Sequence, residues 1–388
     1  MDIRAIVLIG GAAEGLPPQG IAKVPMAYLD VLGLPLVRRV LQRLDRFGVG
    51  NKTVIDSVSG EGAAFIRDMP FLPARVHAKG EQFWEVAQQT CQNYAESGAE
   101  LILLLRLGPY AEVDYEELIQ HHLDHHAPVT MAVDSGNSPL DLFVLNASAS
   151  KDGQTLLQSR LERMRRPGEP FRVRGYVNRL QNAGDLHALA VDGLLAKNAI
   201  RPEGREWKPG VWVATSARIH PRARIVAPAF IGAHATIRAA ALITRASTIE
   251  HHANVDCGTV VENSSILPFT RIGAGLDVAQ SVVGFRHLAH LGRGVEVEIS
   301  DSRIVGMAPL SAFSRLAGST AALFAFIPKQ IYRGFFASSQ RKNLAVNPGC
   351  LDPVEASLET APLGSPATGT EASQFPSNLA VARRYGDQ

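Results

Sequence analysis

Cysteine is scarce in this chain, with only Cys91, Cys257 and Cys350 in 388 residues. An odd number, widely spaced, argues against a disulfide framework and for a reducing compartment. A dominant charge is missing too. There are 39 Lys and Arg against 37 Asp and Glu, so nothing global points to nucleic acid or to an acidic membrane. Long apolar runs are equally absent. Residues 5–9 are too few for a signal sequence, follow Asp2 and run straight into Gly10-Gly11, and so read as a buried first strand. Residues 321–328 fall far short of a bilayer span. These absences leave a cytoplasmic protein with no nucleic-acid partner and no transmembrane segment, long enough for two domains and a tail.

What is present is a repeat. From residue 213 an aliphatic side chain recurs every six places: Val213, Ile219, Ile225, Ile231, Ile237, Ile243, Ile249, Val255, Val261 and Leu267. Four places after each of the first nine stands a small residue: Ala217, Ala223, Ala229, Ala235, Ala241, Ser247, Ala253, Thr259 and Ser265. If about a quarter of positions are aliphatic, such a run has a chance probability on the order of 10⁻⁶ per starting point. A period of six fits neither a helix nor simple alternation. It fits a solenoid in which six residues make one short strand and one corner, and three such units close a triangular coil. The aliphatic residue then points inward and stacks on its equivalent in the next coil, and each strand pairs with the coils before and after it. The phase slips by one after Leu267, through Ile266, Ile272 and Val278, and the stack ends near Val305 with residues 285–290 expected as a loop outside it.

The first 200 residues alternate strand and helix. Strands are expected at 3–9, 53–58, 75–78, 101–105, 129–134 and 140–145. Helices are expected at 34–47, 62–68, 83–97, 115–126, 155–164 and 183–197. That alternation predicts a mostly parallel, doubly wound sheet, with any ligand beyond the carboxyl ends of its strands. The turn after the first strand, Gly10-Gly11, is therefore the candidate phosphate cradle.

The six-residue repeat resembles that of left-handed parallel β-helices. An α/β doubly wound domain followed by such a helix resembles the sugar-1-phosphate nucleotidyltransferases, the GDP-mannose pyrophosphorylase branch in particular. The resemblance covers roughly residues 1–306 and is carried by Ile6-Val7-Leu8-Ile9-Gly10-Gly11, Leu16 with Pro18, Val31-Leu32-Gly33 with Pro35-Leu36, and the repeats. It implies a nucleotidyltransferase-like domain at 1–200 and a left-handed β-helix at 211–306. A capping segment at 307–346 and a disordered tail at 347–388 follow from composition.

The family's chemistry needs a basic clamp on a triphosphate and carboxylates around magnesium. Where the resemblance places the clamp arginine this chain has Gly15, preceded by Ala13 and Glu14. Met26 stands where a lysine belongs, with Lys23 as a nearby substitute. The two metal carboxylates fall on Gly108 and Arg179. Residues 81–85 replace the base-reading segment, and the Glu-Lys-Pro segment that holds the sugar phosphate is missing between Val133 and Leu142. The reading is a catalytically impaired homologue with a regulatory or scaffolding role. It binds a nucleotide sugar through Gly10, Gly11 and Lys23, with a homo-oligomer or a complex with an active nucleotidyltransferase as its assembly. No cofactor is assigned.

Three alternatives stay open. An active mannose-1-phosphate guanylyltransferase-like enzyme would bind Mg2+ and recruit Glu14, Lys23, Glu112 and Asp114, although Asp114 also suits the N-cap of the helix at Tyr115. A hexapeptide acyltransferase would use His251, His252, His287 or His290 as base. His121 with His125, and His122 with His126, have the i,i+4 spacing of zinc or copper ligands, or of a solvated helix face.

Overall fold

The computed structural model describes residues 1–10, 20–21, 24–57, 74–78, 82–147, 169–284 and 286–308. The chain divides into two compact units, Met1–Ala345 and Val346–Gln388, and every described residue lies in the first. The expected helices at 62–68 and 155–164, the tail and nearly all of the capping segment lie outside the described residues.

Seven strands form the first sheet: β1 (Ile3–Ile9), β2 (Lys52–Asp56), β3 (Ala74–His77), β4 (Leu101–Arg106), β5 (Val129–Val133), β6 (Pro139–Asn146) and β7 (Phe171–Arg172). Their order is β7-β5-β6-β4-β1-β2-β3. Each expected strand is there to within a residue or two. The pairing is less parallel than alternation implied. Strands β4-β1-β2-β3 run parallel, whereas β6 is antiparallel to both β4 and β5. The segment between β5 and β6 is a tight turn at residues 134–138 with no helix to carry the chain back across the sheet, so the pair closes as a hairpin.

β1 is apolar and buried from Ala5 to Ile9 because both of its faces are covered there. Ala5, Val7 and Ile9 belong to a core shared with helices α1 (Leu36–Phe47), α3 (Tyr115–Asp124) and α4 (Ala183–Leu194). Ile6 and Leu8 face the other way, onto Phe83, Trp84, Ala87 and Cys91 of helix α2 (Gln82–Glu96). Burial pushes the free Cys91 thiol up to about 12. Among the described residues no helix is long and apolar enough to cross a membrane.

From Val211 onward the chain builds three mainly parallel sheets, one per side of a coil. Pairing partners lie eighteen residues apart, as in Ile219 with Ile237 and Ile225 with Ile243. The inward columns are therefore Val213-Ile231-Ile249, Ile219-Ile237-Val255 and Ile225-Ile243-Val261, as the period of six requires. Ala229, Ala235, Ala241, Ser247, Ala253, Thr259 and Ser265 are all buried. One corner repeats at Ser216, His234, His252 and Phe269, each with φ between 56° and 60°. The rings of His234, His252 and Phe269 stack at 4.8 and 5.0 Å, the spacing of paired strands.

Two details differ from expectation. The slip comes one step earlier, since Ile249 pairs with Ile266. Leu267 leaves the column and packs into the core of the first sheet with Phe230 and Val282. Residues 287–290 are no loop: His287–His290 is a strand, antiparallel to Ser281–Gly284 on one side and to Val295–Glu298 on the other. Val305 does end the stack, on Ile272.

The motif Val31-Leu32-Gly33 with Pro35 is a small hairpin, Asp30–Val31 paired with Leu34–Pro35. Its turn residues Leu32 and Gly33 both have positive φ, 55° and 94°. A Cβ on Gly33 would also lie 2.8 Å from Glu203 Cβ. In this conformation the two N–H groups point the same way, and both donate to Glu250 of the coil, at 3.0 and 2.8 Å. A motif that carried the family resemblance thus fastens the first sheet's core to the coil.

Candidate functional site

The parallel strands deliver four chemically useful positions to one edge. β1 ends at Gly10, β2 at Asp56, β3 at His77 and β4 at Arg106. The chain steps from β1 outward to β2 and β3, then returns to the other side for β4, so the crevice of such a sheet lies at the ends of β1 and β4. Gly10 has φ 91°, which only glycine adopts freely. Gly11, Gly15 and Lys23 lie outside the described residues.

Asp56 is wholly buried. Its Oδ2 accepts from Arg75 Nε at 2.5 Å and from the Tyr28 hydroxyl at 3.3 Å, and its Oδ1 accepts from His77 Nδ1 at 2.9 Å. The register explains the cluster. Asp56 lies opposite His77 and Val54 opposite Arg75 on neighbouring parallel strands, and strand alternation puts Arg75 and His77 on one face. Burial, then the Asp56 carboxylate, raises the Tyr28 phenol far above its ordinary range. Sequence reasoning missed this cluster. Its available signal was Arg75-x-His77, two ionisable residues on the same face of a short strand beside another that ends in Asp.

The positions where the resemblance expects a clamp and metal ligands are filled by other interactions. Met26 is buried in a turn of 3-10 helix, Met26–Tyr28, so an apolar side chain in the core replaces the expected lysine. Gly108 turns the chain after β4, its N–H bonded to the Arg106 carbonyl at 3.1 Å. Arg179 is ion-paired with Asp134, and Arg106 lies 3.8 Å from Asp141. The Ser138 N–H first, then Arg179, hold the Asp134 carboxyl below the usual carboxylate range. Two carboxylates therefore stand at this side of the sheet, each matched to an arginine. Among the described residues no group of three or more His, Cys, Asp or Glu is placed to hold a metal ion. The described residues do not fit magnesium, which needs several oxygen ligands free to turn toward it.

The proposed substitutes are engaged as well. Glu112 accepts from the Ala199 N–H and from the Tyr110 hydroxyl. Asp114 caps α3, accepting from Glu116 and Glu117 N–H at 3.0 and 3.1 Å. The histidines divide differently from either expectation. His121 stacks on His125 at 4.1 Å, but His122 is buried, bonded to Thr130 and Asn146. It belongs neither to a metal pair nor to a solvated face. His251 is bonded to Asp30 at 2.5 Å, and His287 to Glu296 at 3.0 Å. His290 Nδ1 accepts from the Gly292 N–H. Burial, then the charges of His251 and His234, lower His252 to about 4, which makes it a poor base at neutral pH.

No known protein family matches this chain, and no curated protein does. Among solved structures, the chain is similar to HddC from Yersinia pseudotuberculosis at 14% identity and a TM-score of 0.36, over 48% of this chain and 98% of that one.

Proposed function

We propose that this chain is a catalytically impaired relative of the sugar-1-phosphate nucleotidyltransferases, kept for a regulatory or scaffolding role in nucleotide-sugar or polysaccharide metabolism. Its sheet and glycine turn would bind a nucleotide sugar near Gly10. Its repeats would form a left-handed β-helix, and it would act as a homo-oligomer or beside an active relative. The domain limits follow the same reading: 1–200, 211–306, a cap at 307–346 and a tail at 347–388.

The observation that carries this reading is the Arg179–Asp134 ion pair. Arg179 occupies the place where the resemblance puts a metal-binding carboxylate, and it pairs with the Asp134 carboxylate. A cation there opposes magnesium by direct repulsion, several kcal/mol at about 4 Å for an effective dielectric of ~20. With Glu112 bracing the backbone and Asp114 capping a helix, the active-enzyme reading loses two of its four substitutes.

The test is turnover. Full-length protein given GTP, mannose 1-phosphate and Mg2+ is expected to release pyrophosphate no faster than the protein-free control. Release well above that control, abolished by a chelator, would overturn the impaired reading.

A further inference from the structure

The three sides of the coil present three different outer faces. One side turns Trp212, Phe230 and Val282 toward the core of the first sheet. The second is polar along its outer row, which the strand register aligns as Arg218, Thr236, Asn254 and Arg271. The third is built from Arg224–Ile225, Leu242–Thr244, Val260–Glu262 and Asp277–Ala279. Its residues Ile225, Ile243, Val261 and Val278 belong to the coil core, so strand alternation turns their neighbours outward. One outward row runs Arg224, Leu242, Val260, Asp277. The other runs Thr244, Glu262, Ala279, with Val226 beside Thr244 at its start.

The first of these rows has an apolar middle and opposite charges at its ends. Leu242 and Val260 are only partly covered, and Val226 is 44% exposed. Glu262 is ion-paired with Arg245 at the adjoining corner. Arg224 and Asp277 are exposed, and among the described residues neither has an ion-pair partner. They stand three strands apart, about 14 Å at ~4.8 Å per step, too far to pair within one chain.

We propose that this face is the contact between two copies of the chain, related by a two-fold axis running along the strands between Leu242–Thr244 and Val260–Glu262. Such an axis reverses the order of the strands in the second copy and keeps their direction. Arg224 then meets Asp277 of the partner subunit, and Leu242 meets the partner's Val260. In the other row Val226 meets the partner's Ala279, and Thr244 meets the partner's Glu262. Every pairing occurs twice, as an isologous contact requires. A two-fold axis along the coil would instead set Arg224 against the partner's Val226 and Asp277 against the partner's Ala279, leaving both charges unmatched. The face is narrow, so the dimer belongs at the weak end of protein interfaces, with a Kd of about 1–100 µM. It rests on the homo-oligomer reading above and supplies its surface.

Sedimentation equilibrium of the full chain from about 1 to about 200 µM is expected to show monomer and dimer in exchange. Arg224→Asp and, separately, Asp277→Arg are expected to weaken the dimer at least about tenfold, because either change puts two like-charge pairs into the contact. Both changes in one chain restore opposite charges across the axis, and the Kd is expected to return to within about threefold of the wild type. The wild-type dimer decides the matter even if a variant fails to fold: raising salt from about 0.05 to about 0.5 M is expected to weaken it several-fold. A monomer at every concentration would overturn the surface and the homo-oligomer reading together, including the case in which a different protein covers this face. A dimer indifferent to salt or to both single changes, or one that the double change does not recover, would overturn the surface alone.

Discussion

Ile243→Ala is expected to lower the stability of the coil by about 2–5 kcal/mol, whereas Ile225→Ala, one coil earlier in the same column, should cost about half of that or less. Ile243 is fully buried and stacked between Ile225 and Val261. Truncating it removes several methyl and methylene groups from contact and leaves a void. The void cannot close, because pairing on both sides fixes the spacing of the strands at about 4.8 Å. Ile225 is only partly buried, packed on one side against the rest of the column, so its loss opens a notch that water can enter. Denaturant unfolding of both variants, followed by circular dichroism, makes the comparison. Equal costs would mean that the column does not act as one stacked core.

Asp56→Ala is the second large effect, expected at about 2–4 kcal/mol. The carboxylate is the common acceptor for Arg75, His77 and Tyr28. Without it the buried Tyr28 phenol loses this acceptor and the Arg75 guanidinium loses its ion pair. The figure sits at or below the range for a fully buried pair because the Arg75 and His77 side chains are 23% and 40% exposed and regain some water. Asp56→Asn keeps one acceptor and should cost about half as much. Thermal or chemical unfolding of the two variants measures the difference. If Asp56→Ala costs under about 1 kcal/mol, the cluster is peripheral to the fold. Its position beside Gly10 would then be its main interest.

Much of this architecture was legible before any coordinates because two of its rules are local. A strand buried on both faces must be apolar throughout, and residues 5–9 and 101–105 say so directly. A stacked coil must repeat its inward residue every six places, which located every column from Val213 to Val261. Reading failed where a residue's partner lies far away in sequence. Leu267 keeps the six-residue phase, yet the core of the first sheet claims it, and Ile266 takes its place in the column. Parallel and antiparallel neighbours look alike from one strand, so the β5–β6 hairpin went unseen.

The site divides the same way. Arg179 could be read as a lost metal position from spacing within a motif, but its partner Asp134 lies 45 residues away. Asp56, Arg75 and His77 meet only through strand register. Glu250 meets the Leu32–Gly33 turn across more than two hundred residues. Its sequence context, the last residue before a coil corner, carries no mark of that role. The histidines show the limit most plainly: His121 and His122 are neighbours on one helix, yet one stacks near the surface and the other is sealed in the core.

The measurement that tests the central claim most directly is calorimetric titration of the full chain with GDP-mannose and with GTP, each in Mg2+ and in chelator. A nucleotide-binding sheet without metal chemistry predicts the same GDP-mannose affinity in both buffers. GTP binding that requires Mg2+ would contradict it, and would mean that carboxylates now paired with arginines turn to the metal after all.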